Sequence, residues 1–197
     1  MKNMKKLTAL LLALVMVFAL SVSAFAANNG TATLVVSYYG EALLDPSPVT
    51  ITVTSGLTAK DVLDQYASSL DPQWKTVPNL NPNFGDTASA IDTLNGFGSN
   101  PLGADSGITA QFWSSAYPGY GIEYTETVNG ETVYHFIYVG EDWKFTVNGD
   151  KPIDESTPEK YEYYMDQYTV QAGDAIVVNY ETQIERWTDT TNWLGGV

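Results

Sequence analysis

The stretch VTITVTSGLTAKDVLDQYASSL, Val49 to Leu70, changes its hydrophobic period halfway, and that change decides the fold. Val49, Ile51 and Val53 alternate with Thr50, Thr52 and Thr54, the period of a strand with one buried face. Gly56 ends the alternation. Thr58 and Asp61 then form a T-x-x-D capping box, in which the hydroxyl accepts a backbone N–H and the acid reaches back to the cap. Val62, Leu63, Tyr66, Ala67 and Leu70 follow on one helical face. A strand therefore runs straight into an amphipathic helix.

Upstream, TATLVVSYYG reads as a strand with Leu34, Val36 and Tyr38 on one face, so the chain opens β-β-α with the helix laid across a sheet. Downstream, Asp71 to Gly85 reads as irregular, broken by Pro72, Pro78 and Pro82. Its Asn79-x-Asn81-x-Asn83 spacing hints at a calcium loop. Phe84 stands where the turn glycine is needed, and Ala90 where the bidentate acid is needed, so no metal is assigned. A short strand and a long glycine-rich loop follow, with Asn95-Gly96 read as a strand exit. IEYTETVNGETVYHFIYVG is a hairpin about Asn129-Gly130, the preferred type I′ pair. DWKFTVNGDKP is a strand ending in a second such turn, Asn148-Gly149, with Trp143, Phe145 and Val147 facing inward. QYTVQAGDAIVVNYET gives two short strands about Gly173-Asp174, with Ile176, Val178 and Tyr180 on one face. The polar tail 183–197 has no assigned place. The expectation is one α+β domain with one helix and roughly seven strands.

The first 26 residues are set apart. Lys2, Lys5 and Lys6 precede the apolar run LTALLLALVMVFAL, and Ala24-Phe25-Ala26 offers a small-x-small cleavage site, the pattern of a secretory signal peptide. The run is short for a membrane span, so no membrane insertion is expected once the signal is removed, and the mature protein is expected to be secreted and extracellular. The formal net charge is −14, and removal of the leader takes three of the nine basic side chains. So acidic a surface repels nucleic acid, which requires basic patches. With no cysteine, no disulfide can staple the exported chain, and its core must hold it together.

The segments TVTSGLTAKDVLDQYA, AIDTLNGFG, WKFTVNGDKP and YTVQAGDAIVVNY come in an order that resembles a bacterial secreted family of unknown function, itself similar to the C-terminal domain of transcobalamin and intrinsic factor. The residues carrying the resemblance are Gly56 and Thr58, Asn95 and Gly96, Trp143, Val147, Asn148 and Gly149, and Gly173, Asp174, Ile176 and Tyr180. The resemblance spans about Thr31 to Thr182 of a domain bounded at 27–182. It implies a β-grasp-like, ubiquitin-related mixed sheet crossed by one helix. It also implies cobalamin as a ligand, although carriers of that kind sandwich a corrinoid between two domains and this chain offers one. Residues 98–139 depart from the family pattern by adding a hairpin and a long aromatic loop, where a specific function would reside.

Catalysis has little support in the sequence. His135, in VYHFIYV, reads as a paired strand residue. The adjacent acids Glu141-Asp142 and Asp154-Glu155 are what 23 carboxylates supply by chance. Neither a nucleophile elbow nor a phosphate loop is present. Binding is better supported. Phe97, Trp113, Tyr117, Tyr120 and Trp143 are large rings, most of them in or beside glycine-rich loops, where rings stack on planar ligands or sugars. Trp143 reads first as core, while Tyr117 and Tyr120 flank a Pro-Gly turn and read as exposed. The expectation is a non-enzymatic binding module for a small molecule or a cell-surface ligand. The alternative is an adhesion domain that recognises protein or glycan without a cofactor.

Overall fold

Thr58 caps the helix as its sequence demands. Its hydroxyl accepts the Asp61 N–H at 3.1 Å, and the Asp61 carboxylate accepts the Thr58 N–H at 3.0 Å. Such a cap is worth about 1 kcal/mol. These contacts belong to a computed structural model, which describes residues 30–195. The expected signal peptide therefore lies outside the described residues.

In chain order the strands are β1 (Gly30–Tyr38), β2 (Glu41–Ala42) and β3 (Val49–Val53), then the helix α1 (Ala59–Tyr66). β4 (Gln73–Pro78), β5 (Thr87–Leu94), β6 (Phe97–Gly98), β7 (Asn100–Pro101) and β8 (Phe112–Trp113) follow. The last three are β9 (Tyr120–Val128), β10 (Glu131–Val147) and β11 (Ala175–Asp189). The main sheet has eight strands in the order β2-β1-β11-β10-β9-β8, with β3 beside β1 and β7 beside β10. β1 and β11 run parallel at its centre, Leu34 opposite Ile176 and Val36 opposite Val178. Its other pairings are antiparallel. β4, β5 and β6 form a separate three-stranded sheet. The protein is thus a mixed α+β fold, mostly strand, with one α-helix among the described residues.

The alternation read from the sequence builds the main core. Leu34, Val36, Ile51, Val53, Ile176 and Val178 pack with Val62 and Leu63 of α1, all of them almost wholly buried. Trp143 and Phe145 pack half-buried against the same cluster. A second cluster, Ile122, Phe136 and Leu194 with Trp187 and Tyr120 against it, forms where β9, β10 and β11 run together. Phe136 and Trp143 are an odd number of residues apart on one strand, so this cluster lies on the opposite face.

Three expectations need correction. Residues 73–78 are not irregular: they form β4, an edge strand paired with β5. Pro72 precedes that strand and Pro78 ends it, positions where a missing N–H is tolerated. Asn95-Gly96 is not a strand exit but a hairpin turn, with φ of 52° and 78°, which pairs Leu94 with Phe97. The first of the two short strands expected about Gly173 makes only a single bridge, Thr58 with Thr169. The second does not stop at Thr182: it runs on through Asp189 and pairs with β10 as far as Tyr134, because β10 is long enough to template it.

Candidate functional site

A cleft of about 600 Å³ opens beside β10, beyond the residues that pair with β9 and β7. Asp142, Trp143, Lys144 and Phe145 all line it. Side chains alternate faces along a strand, so four consecutive residues share one cleft only if it opens on the strand's edge. β9 pairs with β10 from Glu131 to Tyr138, and β7 pairs with Gly140 and Glu141. Between Glu141 and Val147, β10 has a paired strand on its β11 side alone.

The facing walls come from three places. Ser89, Ala90 and Ile91 come from β5, Tyr120 and Tyr138 from the β9–β10 pair, and Tyr161 to Met165 from the segment that follows β10. That segment is held by Asp154, a buried carboxylate. One of its oxygens accepts from Asn81 Nδ2 at 2.8 Å and Asn83 Nδ2 at 3.0 Å, and the other from the hydroxyl and N–H of Ser156. The Ser156 hydroxyl first, then the two amides, hold Asp154 well below the usual carboxylate range. The Asn79-x-Asn81-x-Asn83 spacing that hinted at calcium serves this tie. Asn79 and Asn81 each accept the N–H two residues on, at 3.1 and 3.0 Å. These asparagines position the cleft wall.

The five rings singled out in the sequence divide. Trp143 lines the cleft half-buried, its indole N–H donating to the Phe97 carbonyl at 2.8 Å. Tyr120 lines it too, 4.7 Å from the Tyr138 ring, and burial raises its hydroxyl pKa. Tyr138 is pushed up to about 12, chiefly by burial. Phe97 reaches the cleft only through Trp143: its own ring, 38% exposed, packs on Tyr38 at 4.5 Å. Trp113 packs beneath β9, so close that a Cβ on Gly121 would lie 2.7 Å from its ring. Tyr117, 48% exposed, meets Trp193 edge-on at 5.7 Å.

Sequence reasoning missed Tyr138, Phe145, the lysines Lys75, Lys144 and Lys151, and the run Tyr161 to Tyr164, all in the cleft wall. The segment KYEYYM carried a signal, three tyrosines in four residues with no strand pattern, which marks rings presented by a loop.

The carboxylates and the histidine considered for catalysis have partners. Glu141 accepts from the Tyr39 hydroxyl and, at 2.7 Å, from Asn100 Nδ2, and these bonds lower its pKa. Asp142 accepts the Trp143 N–H at 2.8 Å and the Ser99 hydroxyl at 3.0 Å. His135 stacks on Tyr124 at 3.9 Å, with Nε2 2.8 Å from Glu126. Among the described residues no group of three or more His, Cys, Asp or Glu is placed to hold a metal, and no helix is long and apolar enough to cross a membrane. No family model, no curated protein and no solved structure matches the chain.

Proposed function

We propose that the chain is a secreted, non-catalytic binding module with a β-grasp-like fold, and that its ligand occupies the cleft at the β10 edge. The fold reading rests on the central parallel pair of the first and last long strands, with α1 packed across them. The carrying observation for binding is the cleft itself. Its volume falls in the range of ligand sites, and it is lined by Trp143, Phe145, Tyr120 and Tyr138 beside polar groups. Non-catalytic use is supported by the engagement of Glu141, Asp142 and Asp154 in structural hydrogen bonds.

The ligand is a small molecule or part of a cell-surface molecule. A corrinoid is the small molecule that the resemblance suggests. Cobalamin titration followed by tryptophan fluorescence and calorimetry tests it, with Trp143→Phe as the control that removes the reporting indole. The absence of both heat and quenching at high micromolar cobalamin would exclude a corrinoid.

A second reading, recognition of a glycan, is favoured by a separate surface. Tyr39, 46% exposed, and Phe97 lie on the stacked rings of Tyr38 and Tyr180, rimmed by Asn100, Glu141 and Thr182. A glycan array compares wild type with Tyr39→Ala/Phe97→Ala and with Tyr117→Ala/Tyr120→Ala. Binding that survives both pairs of changes excludes the rings.

A further inference from the structure

We infer that the ligand of the cleft is an extended peptide bearing an acidic side chain, which adds as a strand to the open edge of β10 from Asp142 to Phe145; this deepens the cleft reading and rests on it. The odd-numbered residues of β10 turn both backbone groups away from β11. The Val139 N–H donates to Gly119 and its carbonyl accepts from Leu102, and Val147 makes the same two bonds with Asp150. Between them, Glu141 lies opposite Asn100 of β7. Trp143 and Phe145 fall in the same row, and no strand pairs with them on that side.

The edge is therefore a short template with its ends already occupied. The Trp143 N–H is held provisionally by the carboxylate of the preceding residue, Asp142, at 2.8 Å. The Phe145 N–H and the carbonyls of Trp143 and Phe145 are the groups that an incoming strand would meet. β7 already demonstrates antiparallel addition to this edge two residues away. Main-chain hydrogen bonds would supply affinity, and pockets for alternate side chains specificity.

Two unsatisfied donors select the peptide. The cleft wall carries Lys75, Lys144 and Lys151 beside the carboxylates of Asp142, Glu162 and Glu185. Lys144 lies 3.4 Å from Glu181 and Lys151 2.9 Å from Glu162, whereas Lys75 is in no ion pair among the described residues. Gln183 also lines the cleft, and its buried Nε2 has no acceptor. A peptide carboxylate suits both donors. Lysines also guard open edges against self-association, and the experiment separates the two roles.

The protein is used to select from a random peptide phage library, with the Lys75→Glu/Lys144→Glu variant as counter-selection. The expected peptides carry acids at alternate positions and bind the double variant about tenfold more weakly or worse, the loss of one charge-assisted contact. The chosen peptide is then N-methylated in each register in turn. A strand on one edge bonds through every second residue, so one register should abolish binding and the other change it less than about threefold. Failure to enrich any peptide on wild type over the variant overturns the proposal, and so does equal sensitivity of both registers. A fragment library read by Trp143 fluorescence, with Trp143→Phe as blank, separates the layers. Fragments without peptides refute the strand and leave the cleft as the site, while a result with no peptides and no fragments refutes both.

Discussion

β10 is one continuous strand with two different halves. From Tyr134 to Tyr138 it lies between β9 and β11, and Phe136 and Ile137 are fully buried. From Asp142 onward β11 is its only long neighbour, and Trp143, Lys144 and Phe145 are half-buried around an open edge. The β11 register does not shift between the halves. One neighbour makes the difference, because β9 begins at Tyr120 opposite Tyr138 and reaches no further. A site can exist in the second half because one edge of β10 carries no strand there.

The largest expected effect breaks that comparison directly. Phe136→Ala removes a fully buried ring that stacks on Trp187 at 5.6 Å and should cost about 3–5 kcal/mol. Trp143→Ala, at the half-buried edge, should cost less. Urea denaturation of both variants decides it: equal losses would mean that the two halves are held alike.

Next comes the wall of the cleft. Asp154 has a depressed folded pKa, so its contribution to stability is present above the unfolded carboxylate value of about 4 and is lost as pH falls toward the folded value. Asp154→Asn should lower stability at pH 7 and reduce the difference between pH 7 and pH 3. Urea midpoints at the two pH values measure it, and an unchanged difference would remove Asp154 as the tie between this segment and Asn81.

Local pattern made the elements with short-range signals legible. Thr58 and Asp61, the Val49–Val53 alternation, and Asn129-Gly130 each specify their geometry within a few residues. The cleft was not legible, because it depends on where β9 starts and β7 pairs, and alternation reads the same on a flanked strand and an open one. Trp143 illustrates both sides. Its inward alternation with Phe145 suggested core, and it does pack there, but its edge position is set by strands distant in sequence. Trp113 and Tyr117 failed to join the cleft because the chain folds back and packs them near β9 and Trp193.

Trp143→Phe sharpens the comparison at smaller scale. It keeps a ring against the core but deletes the bond to the Phe97 carbonyl, a loss of about 1 kcal/mol. The same change at Trp187, whose indole N–H makes no intramolecular hydrogen bond among those described, isolates packing from hydrogen bonding when the two thermal midpoints are compared.

Lys75→Glu should have the smallest effect on folding and the most informative contrast with binding. Lys75 is exposed on an edge strand and has no carboxylate partner among the described residues, so the change should move stability by less than about 0.5 kcal/mol. A side chain held at a cleft mouth for folding would show its removal in the urea midpoint. One held there for a ligand would show it only in affinity, and more strongly at low salt, since the Debye length shortens as ions are added. A large stability loss on Lys75→Glu would make the lysine a structural element of the β4 edge and leave the cleft without its free cation.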